Sequence, residues 1–193
     1  MIRALSRTLI EKACWIHGMP VPVLCGPNKG AWWTLFPYTA YWRGSYEPDI
    51  QAAILDLNFP RGSVFWDIGT HFGFYTLLFA RIAGPEGQVV GLEPDPISYS
   101  RCLKHTRLNR LGCVNVLNAA ASDKSGEIEL LTYGEPGKPT SHLAFPGERV
   151  DLCPTSVTIE SLPLDALMET RGCRPPHLVK IDVEGHGANA VSG

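Results

Sequence analysis

Apolar positions along this chain come in two kinds, short unbroken runs and longer stretches with helical spacing, and the two alternate from residue 63 onward. SVFWDIG, GQVVGLEP and CVNVLNAAAS belong to the first kind and read as buried strands. Between them FYTLLFARIA, apolar nearly all round, reads as a helix stopped by Gly84 and Pro85. PISYSRCLKHTRLNRLG reads as a second helix, opened by Pro96 and ended at Gly112. A strand–helix–strand–helix–strand order predicts a parallel sheet with crossover helices. The alternation then breaks. EIELLTY is read as an extra strand, GEPGKPTSHLAFPGE as a turn-rich loop, VTIES as a short strand and LPLDALMET as a short helix. HLVKIDVEG is the next apolar strand, and it ends in acids.

The upstream third is less regular. Ile2, Leu5, Leu9, Ala13 and Ile16 recur at helical spacing and predict an amphipathic helix. Ser6, Arg7, Glu11 and Lys12 interrupt any continuous apolar core, so this is not the pattern of a signal peptide. Residues Pro20 to Arg43 are rich in Gly, Pro and aromatics, with AWWTLF as a short strand. Pro48 then opens a helix, DIQAAILDL, ended by Asn58, Pro60 and Gly62.

Composition narrows the function classes. At 193 residues the chain can bury a sizeable core, and 45% hydrophobic residues is ordinary for a soluble domain. A formal net charge of -2 does not favour nucleic acid as a partner. The basic group Arg101, Lys104, Arg107 and Arg110 reads as the solvated face of a helix. No stretch approaches the length of a transmembrane segment. The six cysteines are scattered, with no CxxC pair and no His cluster at zinc-like spacing, so no metal site is expected. Scattered thiols fit a reduced, cytoplasmic location.

In an open parallel sheet, ligands bind beyond the carboxyl ends of the strands. Three of the four regular strands stop in acids: Asp67, Glu93, and the pair Asp182 and Glu184. After the first strand, DIGTHFGFYT supplies Gly69 and Gly73, where backbone can approach a ligand closely. The helix that follows, from about Phe74, presents the positive end of its dipole. Glu93 at the next strand end can accept hydrogen bonds from both hydroxyls of an adenosine ribose. These features together favour an adenosine-containing cofactor. A nicotinamide site expects GxGxxG, whose glycines fit a pyrophosphate. Here Thr70 and His71 stand where the middle glycine would fall, which suits S-adenosyl-L-methionine better. An NAD-type, nucleotide-dependent oxidoreductase is the second reading.

VFWDIGTHFGFYTLLFAR, VGLEPDP, NAAASDKSG and LVKIDVEG, in that order, resemble the FkbM family of methyltransferases, a Rossmann-like branch that uses S-adenosylmethionine. The likeness runs from about Gly44, through GSYEP, to Gly193. By position, the resemblance implies that Asp67, Gly69, His71 and Gly73 form the cofactor loop, with Tyr75 and Thr76 behind it. It implies Glu93 and Pro94 at the ribose, and Ala121, Ser122 and Asp123 at the adenine. Tyr46 and Glu47 match a segment placed over the cofactor. Lys180, Asp182, Glu184 and Gly185 match the signature before the acceptor site. The family usually has Asn where this chain has His71, Glu at Gly187, and Val-Leu at Ala190 and Val191.

The resulting expectation is an α/β chain with a Rossmann-like, doubly wound, mostly parallel sheet in the order 3-2-1-4, the later strands being absent. Residues 1–43 form a lead segment and residues 44–193 a partial class I methyltransferase domain. The expected activity is O-methylation of a small-molecule or sugar hydroxyl, hence a small-molecule or glycan acceptor. Asp182 is the candidate general base, with Glu184 and His186 behind it; alternatively Asp182 positions the methionine amino group and Glu184 caps the next helix. Lys180 points to solvent or pairs with an acid, and His142 lies in the long loop. A truncated, inactive fragment that only binds cofactor is the remaining reading, and its last strand would be an unpaired edge prone to association.

Overall fold

The computed structural model describes residues 18–35, 41–132, 142–143 and 155–183. The expected amphipathic helix over residues 2–16, most of the long loop with the side chain of His142, and Glu184 with everything after it lie outside the described residues. The chain forms two compact units, the first ending at Asn58 and the second beginning at Phe59.

In the first unit, β1 (Pro20–Pro22) pairs antiparallel with β2 (Trp32–Thr34), inside the AWWTLF segment. Trp33 is fully buried and meets the edge of Tyr41, ring centroids 5.5 Å apart. Helix α1 (Pro48–Asp56) starts where Pro48 predicts, because a proline at the first helical position gives up no intrahelical hydrogen bond. Its N-cap is Glu47, in the left-handed region at φ 44°.

The second unit carries the regular alternation. Strand β3 (Val64–Ile68) is buried at every position, β4 (Gln88–Leu92) at all but the first. With β5 (Val114–Leu117) and β10 (Leu178–Ile181) they form a four-stranded sheet in the order β10-β3-β4-β5. Every pairing is parallel. This is the expected 3-2-1-4 order.

Successive side chains of a strand point to opposite faces, and β3 shows what each face meets. Phe65 stacks on Phe79 of α2 (Phe74–Ala83) at 4.9 Å, and Asp67 bonds Thr76 of the same helix. Val64, Trp66 and Ile68 enter a cluster with Val90, Leu92, Ala119, Leu162 and Leu167. The sheet is therefore covered on both faces, which is why its strands read as apolar runs rather than alternating ones. Helix α3 (Pro96–Leu108) begins at Pro96, and the Asp95 carboxylate accepts the N–H groups of Ile97 and Ser98 at 2.7 and 2.9 Å. It ends four residues before the expected Gly112, with Asn109 as its C-cap.

Two expectations need correction. CVNVLNAAAS is not one strand: β5 stops at Leu117, and β6 (Ala119–Ala121) belongs to a second sheet in the order β6-β9-β7-β8. The break is at Asn118, whose side-chain amide donates to the carbonyls of Glu93 and Pro94 at 2.8 and 2.9 Å and so turns the chain out of the first sheet. The second sheet contains β7 (Gly126–Thr132), β8 (His142–Leu143) and β9 (Thr155–Leu162). VTIES is the middle of β9, which is longer than expected because it pairs with β7 on one side and β6 on the other. The short helix is α4 (Leu164–Arg171).

The second correction concerns the basic group on α3. Lys104, Arg107 and Arg110 are exposed, but Arg101 is 8% exposed and lies over the ring of Phe72 at 4.5 Å. A planar, weakly hydrated guanidinium stacks on an aromatic face in a way that periodicity does not reveal. Cys25, Cys102, Cys113 and Cys173 are free thiols; Cys14 and Cys153 lie outside the described residues. Among the described residues no helix is long and apolar enough to cross a membrane.

Candidate functional site

The carboxyl ends of β3, β4 and β10 lie side by side, and the turn after β3 spans them. Gly69 and Thr70 each donate their N–H to the carbonyl of Leu92, at 2.9 and 3.1 Å, which pins the turn to the end of β4. On the other side Asp182 donates its N–H to the carbonyl of Ile68 at 2.9 Å. Gly69 has φ 80°, and a Cβ there would overlap the Asp182 carbonyl. This is a close backbone approach that only glycine permits. Gly73 closes the turn at φ 87°, and a Cβ there would fall 2.6 Å from Cys102 Sγ.

Asp67 is completely buried beneath this turn. Its Oδ2 accepts the Thr76 hydroxyl at 2.6 Å, and Lys180 Nζ stands 3.7 Å from Oδ1. Burial pushes the Asp67 carboxyl up, while the Lys180 charge and the Thr76 hydroxyl pull it back. Lys180 is paired with Asp67 across the β10–β3 ladder, so strand register places the cation beside the acid. The same ammonium lies 3.2 Å from Asp182 Oδ2 and 4.9 Å from the ring centroid of Tyr75.

Glu93 ends β4. It is 7% exposed, and its two oxygens accept the backbone N–H groups of His71 and Asp95 at 2.6 and 2.9 Å. Burial raises its pKa to about 7, against the pull of those two donors. The His71 backbone is left-handed at φ 50°, its ring stacks on Phe72 at 3.8 Å, and burial lowers its pKa to about 4, so the imidazole is neutral at pH 7. The carbonyl of Phe72 is held by His105 Nδ1 at 2.7 Å.

The structure thus brings together Asp67, Gly69, His71, Gly73, Tyr75, Thr76, Glu93 and Asp182 around three strand ends. Pro94 follows Glu93 and has its carbonyl bonded by Asn118. Ala121 is buried at the end of β6, a strand of the second sheet. Ser122 continues from it with its N–H on the Leu162 carbonyl at 3.1 Å, and its hydroxyl donates to the exposed Asp123 at 3.3 Å. Glu47 belongs to the first unit, where it caps α1. Glu184 lies outside the described residues. Among the described residues no group of three His, Cys, Asp or Glu side chains could hold a metal ion.

Two further residues have clear roles in this geometry: Lys180, expected to point to solvent or pair with an acid, does the latter, and Asn118 is not among the expected site residues. Lys180 bridges two acids, and the signal was present: it stands two residues before Asp182 and therefore on the same face of a strand. Asn118 holds the carbonyls of the Glu93–Pro94 turn, and only the break in the third strand run would have indicated it. Chemically, the carboxylates of Glu93 and Asp182 flank the glycine turn from the strands on either side of β3, the first buried and the second 59% exposed in its side chain. Such an arrangement suits a ligand with vicinal hydroxyls and a cationic group.

A model of the methyltransferase FkbM domain matches residues 67–193. The hexuronic acid methyltransferase AglP of Haloferax volcanii is 30% identical over 130 residues, covering 67% of this chain and 49% of AglP. The chain therefore spans about half the length of that curated relative. Among solved structures, a methyltransferase FkbM from Methylobacillus flagellatus aligns over 68% of this chain and 28% of its own, with TM-score 0.44 and 17% identity. A SAM-dependent O-methyltransferase from Thermotoga maritima aligns over 76% of this chain and 78% of its own, with TM-score 0.37 and 10% identity.

Proposed function

Because this chain belongs to the FkbM family of methyltransferases, we propose that the ends of β3, β4 and β10 bind S-adenosyl-L-methionine, and that the whole protein methylates a sugar hydroxyl. The observation that carries the cofactor reading is Glu93. Its buried carboxylate is aimed by two backbone N–H groups, and each oxygen keeps a lone pair for a ribose hydroxyl. The turn supports this over a dinucleotide, since Thr70 is buried and His71 is folded onto Phe72 where a pyrophosphate would need bare backbone.

When bound, S-adenosylmethionine supplies an activated methyl group on a sulfonium that is its own leaving group. What remains for the protein is alignment, together with a place for the acceptor proton. Glu93 fixes the adenosine end. Gly69 lets the turn pack directly on the Asp182 carbonyl and so fixes the backbone that carries Asp182. Asp182, half in solvent at the end of β10, either receives the hydroxyl proton or holds the cofactor ammonium. The sugar acceptor is supported by the hexuronic acid named for the relative from Haloferax volcanii.

The test is to incubate the protein with S-adenosylmethionine and uronic acid glycosides, neutral sugar glycosides or non-sugar alcohols, following S-adenosylhomocysteine release. Turnover with a glycoside, lost in Glu93→Ala, is expected. Turnover with none of them, but with a non-sugar hydroxyl, would overturn the acceptor assignment.

A further inference from the structure

Asp182 is the exposed carboxylate of the site, and among the described residues its carboxylate has one side-chain partner, the ammonium of Lys180 at 3.2 Å. That ammonium is itself held in place. It is only 16% exposed, stands 3.7 Å from the buried Asp67 carboxylate, and lies 4.9 Å from the Tyr75 ring centroid. Ladder register sets Lys180 beside Asp67, and the period of two sets it on the same face as Asp182. The close approach of Gly69 to the Asp182 carbonyl fixes the backbone at the same point.

We propose that Lys180 is a positioning residue for the cofactor. It bridges the ends of β3 and β10 and aims the Asp182 carboxylate at the ligand. One Asp182 oxygen is committed to Lys180, which leaves the other for a cationic group of the ligand, such as an α-ammonium. Lys180 also stands against the buried Asp67 carboxyl, so one ammonium serves both acids at this end of the site. A lysine that only solvated the strand edge, or only compensated Asp67, would not affect the ligand through Asp182. The inference rests on the S-adenosylmethionine reading.

Backgrounds that separate the two acids give the test. Calorimetric titration with S-adenosylmethionine is done on the full chain, on Lys180→Arg, Lys180→Met, Asp67→Asn and Asp182→Asn, and on Lys180→Met combined with Asp67→Asn or with Asp182→Asn. Asp67→Asn removes the buried charge that Lys180→Met would strand, so the combined variant stays foldable and keeps the measurement decisive. In the Asp67→Asn background, Lys180→Met should weaken binding about fivefold, within the range for coupled neighbours. In the Asp182→Asn background the same change should cost less than about twofold, since its target is gone. Lys180→Arg should keep affinity, because a guanidinium can bridge two carboxylates. No loss in the Asp67→Asn background, or equal loss in the Asp182→Asn background, would overturn the inference alone. If the unsubstituted chain does not bind S-adenosylmethionine, the cofactor reading fails and the inference fails with it.

Discussion

The His71 N–H lies 2.6 Å from Glu93 Oε2, a bond between residues 22 apart that ties the turn after β3 to the end of β4. A carboxylate so placed has a marked pH signature. Burial lifts the Glu93 pKa to about 7, so the folded chain binds this proton more tightly than the unfolded chain does. Its contribution to stability is therefore greatest at acid pH and is lost as pH rises from the ordinary carboxylate range to about 7. A ligand whose hydroxyls donate to the ionised form has the opposite dependence. Affinity for S-adenosylhomocysteine should rise about tenfold between pH 6 and pH 8, and Glu93→Gln should flatten the profile. Titrations at a series of pH values check this, and a flat profile in the unsubstituted chain would contradict it.

Gly69 and Gly62 offer a matched pair. Both have positive φ, 80° and 88°, but a Cβ at Gly62 has open space while one at Gly69 overlaps the Asp182 carbonyl. Gly62→Ala should cost about 1–2 kcal/mol, the strain of a left-handed alanine. Gly69→Ala should cost about 1–3 kcal/mol more, because backbone must shift to relieve the overlap. Urea denaturation of both variants measures the difference; equal costs would mean that the turn and β10 are not packed this closely.

Thr76→Val keeps the shape of a fully buried side chain and removes its hydroxyl. The lost bond is the 2.6 Å one to Asp67 Oδ2, a donor to a buried carboxylate. A loss of about 1.5–3 kcal/mol in unfolding free energy is expected, with Thr76→Ser retaining most of it. A neutral Thr76→Val would contradict the role given to this hydroxyl as the donor that satisfies Asp67.

Much of this was readable in advance where a strand is buried on both faces and ends in an acid. DIGTHFG and GLEP carry their own boundaries, since Gly69 and Gly73 have positive φ and Pro96 opens the helix after the second. Less was readable where a tertiary hydrogen bond decides. CVNVLNAAAS reads as one strand run despite Asn115 and Asn118, and nothing local says that Asn118 will take two carbonyls and divide it between sheets. Arg101 has the spacing of a solvated face, but the ring of Phe72, brought in by the turn, lies against its buried guanidinium. For Lys180 the spacing to Asp182 is local, but its pairing with Asp67 required the register of β10 against β3, which no window of sequence contains.

The Asn118 bonds make a further prediction. Asn118→Ala removes both donors to the Glu93–Pro94 turn, and the turn is what aims the Glu93 carboxylate. Affinity for S-adenosylhomocysteine should fall along with an unfolding free energy lower by about 1–2 kcal/mol. Loss of stability with unchanged affinity would separate the turn from the ligand and contradict the role given to it.

The central claim is that Glu93 and the turn from Gly69 to Gly73 hold the adenosine of a sulfonium cofactor rather than a dinucleotide. The most direct measurement is calorimetric titration of the chain with S-adenosylmethionine, S-adenosylhomocysteine and NAD, repeated on Glu93→Ala. Both sulfur compounds should bind and raise the melting temperature, and NAD should do neither. Glu93→Ala should weaken binding by about 1.5–3 kcal/mol, the cost of removing hydrogen bonds to a charged group. Tight binding of NAD, or affinity for S-adenosylhomocysteine that ignores Glu93→Ala, would contradict the account.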